Sequence, residues 1–189
     1  MQVYTVDEVR KLIEVASPQW RKDVIEFAFR TGMRTNEIFA LKWDAVDLKN
    51  KRIIIQASCS YSPEYGVVES PPKTASSIRC IDIDTRCVDI LQHTPHISKY
   101  VFARDNGEPR HGTTVQMFRL CDKAGIARRG LRHMRTTHIS LLVSEGISLP
   151  EIQCRVGHRS PDTLLRYYTQ FAVGRQNKSV TVLNKIDLR

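Results

Sequence analysis

The chain has 189 residues, enough for one domain with a sizeable core and too few for two generous ones. Its formal net charge of +9 points to an acidic partner, nucleic acid before membrane, because no amphipathic basic helix stands out. No apolar run approaches the ~20 residues of a membrane span and the N-terminus lacks the apolar core of a signal peptide, so an intracellular protein without membrane contact is expected. Cys59, Cys80, Cys87, Cys121 and Cys154 contain no C-x-x-C pair, and the histidines do not cluster at metal-ligand spacing. Buried free thiols, no disulfide framework and no structural metal are expected.

Thr5 and Glu8 form a capping-box pattern, and Val6, Val9, Leu12, Ile13 and Ala16 follow at helical spacing, so a helix begins almost at once. Ser17 and Pro18 restart the chain as a cap and first-turn proline. Trp20, Val24, Phe27 and Ala28 then form the buried face of a second helix that Gly32 ends. Arg34 sits at the junction with a third helix, Asn36 to Leu41, from which its head group can project; alone it reads equally well as a surface arginine. Glu37 by itself is a helix-surface charge.

From Arg52 the period changes. RIIIQA, GVVES and SIRCIDI are rich in β-branched residues and separated by Gly, Pro and Ser clusters, which predicts a small antiparallel sheet of three strands. Lys73 falls on the turn between the second and third strands and, taken alone, is a solvated loop lysine. Thr85 to Gln92 reads as a helix, YVFA as a brief extended segment and Asp105 to Gly107 as a turn. Thr113 to Ala124 is another helix, with Val115, Phe118 and Cys121 inward and Gly125 closing it. The basic run Arg119, Lys123, Arg128, Arg129, Arg132 and Arg135 suits phosphate contacts that position DNA without reading its sequence.

The helix carrying Arg135 presents Ile139, Leu142 and Val143 on one face and stops at Gly146. Ser148 and Glu151 open a short helix with Ile152 and Val156 buried, and Gly157 ends it. His158 follows that helix C-terminus, which favours its protonated form; a structural capping histidine is the alternative. Ser160 and Pro161 start the helix bearing Tyr167 and Tyr168. Neighbours on a helix point about 100° apart, so one tyrosine faces the site and the other packs in the core. The fold class is therefore α+β, a mostly helical domain with a small antiparallel three-stranded sheet.

The stretch from Gly130 to Phe171 gathers residue types that suit attack on a phosphodiester. Arg135 offers a planar fork of donors to phosphate oxygens. His158, 23 residues on, can donate a hydrogen bond or a proton, and a tyrosine hydroxyl can act as a nucleophile. Thr31, Gly32, Arg34 and Glu37 fit a T-G-x-R-x-x-E pattern, Arg135 a second arginine, Gly157 and His158 a G-H pair, and Tyr168 the tyrosine of Tyr-Thr-Gln-Phe. On these residues, in this order over roughly residues 5 to 172, the chain resembles the catalytic domain of the tyrosine recombinases, the phage-integrase family.

The resemblance implies a tyrosine-recombinase catalytic domain over residues 1–173 and a C-terminal tail over 174–189, which in the family often packs against a neighbouring protomer. The family's usual N-terminal core-binding, DNA-clamping domain is absent from the sequence, as expected of a fragment or of a minority member working with this domain alone. The implied activity is site-specific recombination or integration. Arg34 and Arg135 would clamp the scissile phosphate and His158 would add a donor. Lys73 would protonate the departing 5′-hydroxyl, Tyr168 would form a 3′-phosphotyrosyl link, and Glu37 would support the arginines from behind. No ATP, metal or other cofactor is implied. The implied partners are a double-stranded recombination site, a tetramer assembled on it, and accessory DNA-bending or directionality factors, in the cytoplasm at the nucleoid. A type IB topoisomerase and a catalytically impaired DNA-binding module of the same fold are the alternatives.

The family's H-x-x-R puts a histidine at 132, where this chain has Arg132. An arginine, with a pKa above ~12, cannot accept the tyrosine proton, which must pass to water, to His133, or leave under the pull of Arg34, Arg132 and Arg135. Tyr167 fits an alternative nine-residue spacing from His158. The Tyr-Thr-Gln-Phe context, which resembles the family's Tyr-Thr-His-Val, selects Tyr168.

Overall fold

The computed structural model describes residues 2–70, 78–157, 164–167 and 169. Thr5 accepts a hydrogen bond from the Glu8 amide while the Glu8 carboxylate accepts from the Thr5 amide, and this reciprocal cap starts α1 (Val6–Val15). After a cis Ser17–Pro18 peptide the chain enters α2 (Gln19–Thr31), with Pro18 as the capping residue rather than a member of the first turn. Leu12 of α1 and Phe27 of α2 are completely buried, each contributing about 2 kcal/mol of hydrophobic stabilisation. Trp20, expected on the buried face, is only half-buried against the core.

Gly32 ends α2 in the left-handed region at φ 65°, and a β-carbon there would lie 2.4 Å from His138 Cδ2. Only glycine meets both constraints. The short helix α3 (Thr35–Ala40) follows directly, so Arg34 is the residue at the turn between two helices.

The sheet departs from the sequence expectation in membership. Its three antiparallel strands are β1 (Val46–Asp47), β2 (Arg52–Ile55) and β5 (Arg79–Asp82), in the order β1-β2-β5, with Ile53 opposite Ile81 and Ile55 opposite Arg79. GVVES forms β4 (Gly66–Ser70) and pairs instead with β3 (Ser58–Ser62) as a separate hairpin against α3. SCSYS offers only Cys59 to the interior and Val46–Asp47 is two residues long, so neither shows the alternation that marks a strand. On β5, Arg79 and Ile81 point inward while Cys80 and Asp82 point out.

Asp84 caps α4 (Thr85–His93) by accepting from the Cys87 amide at 2.8 Å. In the 100–103 segment a two-residue turn separates single bridges from Tyr100 to Lys42 and from Ala103 to Pro109. In α5 (Thr114–Lys123) the inward residues are Met117, Leu120 and Cys121, whereas Val115 is 60% exposed and Phe118 half-buried. Val115 occupies the first turn of the helix. The helices α6 (Arg132–Glu145) and α7 (Leu149–Val156) each end at a left-handed glycine, Gly146 and Gly157. Ile139, Val143, Ile152, Val156, Leu164 and Tyr167 form a second apolar cluster beside the main core. Residues 164–167 are helical, and the expected tail over 174–189 lies outside the described residues.

Two of the five cysteines correct the expectation of buried thiols. Cys80 is on the outward side of β5 and Cys154 on the outer face of α7, and both are exposed. Among the described residues, no helix is long and apolar enough to cross a membrane.

Candidate active site

The last turn of a helix leaves carbonyl oxygens without intrahelical partners and gathers partial negative charge. At the end of α7 three consecutive carbonyls are met by three guanidinium groups from three other elements. Arg79 of β5 donates to Arg155 O at 2.9 Å, Arg135 of α6 to Val156 O at 2.6 Å, and Arg34 to Gly157 O at 3.3 Å. Arg135 also donates to Gly32 O at 2.8 Å, which fastens the α2–α3 turn to α6. Arg34 and Arg135, a hundred residues apart in sequence, thus converge on one helix end.

Among the described residues, a single carboxylate sits with these cations. Glu37 accepts from Arg79 Nη1 and Nη2 at 3.0 and 2.8 Å, from Arg34 Nη1 at 2.7 Å and from the Arg34 amide at 2.8 Å. Burial pushes its carboxyl up, but the Arg79 hydrogen bonds and charge, followed by the Arg34 amide and charge, outweigh that and hold it at about 2. Burial, with the Arg34 charge nearby, pulls the Arg135 guanidinium down to about 9, which leaves it a cation at neutral pH. Arg34 differs in being half open, with 46% of its side chain exposed. Each guanidinium keeps N–H groups beyond those engaged above, so the pair can still donate to an anion.

His138 supports the same junction from behind. Its Nδ1–H donates to Phe29 O at 2.9 Å and its Nε2 accepts from Arg155 Nε at 3.1 Å, while burial and the Arg155 charge lower its pKa to about 4. The neutral ring therefore locks α2, α6 and α7 together without adding a charge.

Beside this junction runs an open groove of about 460 Å³ whose walls include Thr35, Asn36, Arg110, His111, Arg128 and Arg132, and among the described residues no carboxylate lines it. Arg110 stacks on Trp20 at 3.8 Å, and neither it nor Arg132 makes an ion pair among the described residues. Arg128 keeps a two-pronged bond to Asp122 at 2.7 Å. Tyr61 of the β3–β4 hairpin stacks on the groove residue His111 at 4.3 Å. A concavity lined by guanidiniums without ion-pair partners is suited to a polyanion.

Of the residues selected from sequence, Arg34 and Arg135 are brought together. Arg132 is exposed at the start of α6, one turn before Arg135, and faces the groove. Lys73, His158 and Tyr168 lie outside the described residues. Tyr167 is 7% exposed and packs in the second cluster with Ile139, Val143 and Ile152. The basic run is partly internal: Arg129 pairs with Glu8 at 2.6 Å and bonds Val3 O, and Lys123 donates to Val15 O at 3.3 Å. Sequence reasoning missed Arg79 and Arg155, whose partners are far away in the chain. The inward parity of Arg79 with Ile81 was the available signal, since a buried strand arginine requires a carboxylate.

The sequence profile of the phage integrase family matches residues 2–174. The integrase of Staphylococcus phage L54a is 32% identical over 164 residues, covering 77% of this chain and 46% of that protein. The ICEBs1 integrase of Bacillus subtilis strain 168 is 24% identical over 204 residues, covering 98% of this chain and 55% of that protein. The chain thus spans about half the length of the curated relatives it matches. The Tn1549 transposon integrase in complex with transposon right end DNA superposes with a TM-score of 0.82 at 19% identity, over 94% of this chain and 65% of that one. The XerH site-specific recombinase bound to its difH substrate gives 0.68 at 21% identity, over 89% and 50%. At such identities the two structures establish the fold.

Proposed function

Since the chain belongs to the phage integrase family, we propose that it is the strand-cleaving portion of a site-specific DNA recombinase or integrase. The observation that carries this reading is the convergence of Arg34 and Arg135 on the end of α7, beside a groove that no carboxylate lines among the described residues. A phosphodiester resists attack because its oxygens are negative and its leaving alkoxide is poor. A site must therefore supply cations, a proton and a held nucleophile. In this reading Arg34 and Arg135 hold the non-bridging oxygens, His158 adds a donor, and the groove with Arg110, Arg128 and Arg132 holds the flanking backbone.

The Tyr168 oxygen forms a bond to phosphorus as the bond from phosphorus to O5′ breaks, and Lys73 gives O5′ its proton. The 3′-phosphotyrosyl link conserves the ester, so the 5′-hydroxyl of another strand reseals it without ATP. Burial of Tyr167 in the second cluster supports Tyr168 as the nucleophile. Its proton passes to water or to His133, which lines the groove next to Arg132. Burial lowers the His133 pKa and the Arg132 charge lowers it further, against the hydrogen bond to Gly130 O, so the ring is neutral at pH 7 and able to accept. The substrate is a double-stranded recombination site, and the working assembly is a tetramer on that DNA, in the cytoplasm at the nucleoid, with accessory DNA-bending or directionality factors.

Incubation with a nicked half-site DNA tests the reading. A detergent-resistant protein–DNA adduct is expected. A gel shift without an adduct would make the chain a binding module, and relaxation of any supercoiled plasmid without strand exchange would make it a topoisomerase.

A further inference from the structure

Arg79 occupies a position that the proposed chemistry does not use. Its guanidinium grips both Glu37 oxygens at 3.0 and 2.8 Å while Nε–H reaches Arg155 O at 2.9 Å, so one planar group joins β5, α3 and α7. The packing around it is tight: a β-carbon on Gly157 would lie 3.1 Å from both Arg79 Cδ and Arg79 Nη1. Only 5% of its side chain is exposed and all three of its nitrogens are engaged by Glu37 and Arg155 O, so Arg79 is committed to the protein rather than to a DNA phosphate.

We propose that Arg79 is a positioning residue that keeps Glu37 from quenching the Arg34–Arg135 pair, an inference that rests on the recombinase reading above. Glu37 is the only carboxylate bonded to these guanidiniums among the described residues. With Arg79 in place, both carboxylate oxygens are drawn toward β5, and Oε1 is shared between Arg79 and Arg34. Arg34 is left half open and, with Arg135, the cation excess faces outward. Without Arg79 the carboxylate has only Arg34 and Arg135 to neutralise it, and Arg155 O at the α7 end loses its donor. The phosphate would then meet a weaker and less fixed pair of donors, while the groove that binds flanking DNA would be untouched. Geometry of this kind is rate-determining because a displacement of an ångström costs on the order of 10²-fold. A lysine offers one point charge and cannot hold both Glu37 and Arg155 O in the plane that the fork occupies.

The test uses the whole chain and the nicked half-site DNA, with DNA affinity and single-turnover adduct formation measured separately. Arg79→Ala is expected to retain cooperative melting and DNA affinity within about twofold of wild type while forming adduct about 100-fold more slowly. Arg79→Lys should recover roughly tenfold of that loss. In a Glu37→Gln background, Arg79→Ala should slow the reaction less than about threefold, because the group it restrains is no longer charged. Should Arg79→Ala fail to fold, Arg79→Lys carries the comparison. Wild-type rates in Arg79→Lys, a loss of affinity parallel to the loss of rate, or a full effect in the Glu37→Gln background would overturn the proposal. No adduct with the wild-type chain would instead overturn the recombinase reading, and this inference with it.

Discussion

Replacing Glu37 by Gln removes one charge from a cluster of three guanidiniums with little change of shape. The Glu37 carboxyl is held at about 2 against an ordinary value of 4.5, and the side chain is 8% exposed, so solvent screens the interaction little. A depression of that size corresponds to roughly 3 kcal/mol of stability at neutral pH. Because the folded-state pKa lies below the unfolded one, this stabilisation is complete above about pH 4.5 and is lost as pH falls toward 2. Urea denaturation of wild type and Glu37→Gln across pH 3 to 7 measures it. The difference in unfolding free energy should be about 3 kcal/mol at pH 7 and roughly 1.4 kcal/mol at pH 3, the wild type losing its advantage on acidification. A difference that stays constant over this range would show that hydrogen-bond shape rather than charge binds Glu37 to Arg79, and the electrostatic account of the site would be refuted.

Gly32→Ala should cost about 3 kcal/mol, from a left-handed φ and a β-carbon 2.4 Å from His138, whereas Gly125→Ala, with a similar φ and open space around it, should cost about 1 kcal/mol. Equal shifts of the urea midpoints would contradict the close approach of Gly32 to His138. Lys73→Ala should slow cleavage of ordinary DNA far more than cleavage of a substrate with a 5′-bridging sulfur, whose thiolate leaves without a proton; equal slowing would reject the general-acid role. Arg132→His should be faster than wild type near pH 7, and the wild-type rate should rise beyond neutrality. A variant slower throughout pH 6 to 9, with folding and DNA binding intact, would show that Arg132 does something a histidine cannot.

Local signals were readable where one residue decides a structure by itself. Thr5 with Glu8 starts α1, Gly32, Gly146 and Gly157 stop helices, and the turn at Gly32 is what lets Arg34 project. What escaped is pairing at long range. SCSYS becomes a strand only because GVVES lies alongside, and Val46–Asp47 only because β2 does. Arg79 finds Glu37 across 42 residues and Arg155 O across 76, so neither bond leaves a local pattern. Arg129 looked like part of a DNA-facing run, yet Glu8, 121 residues away, takes it inward. The motif residues Arg34 and Arg135 could be chosen from sequence. Glu37 could be placed behind them through the family pattern, but its partner Arg79 could not, because a strand arginine is an ordinary charge until the fold buries it.

The central claim is that Tyr168 becomes covalently joined to DNA. The direct measurement is to trap the adduct on nicked half-site DNA, digest it with protease and nuclease, and sequence the nucleotide-bearing peptide by mass spectrometry. The account predicts a nucleotide on Tyr168, full adduct formation by Tyr167→Phe and none by Tyr168→Phe. A nucleotide on Tyr167, or an adduct that persists in Tyr168→Phe and is lost in Tyr167→Phe, would contradict it.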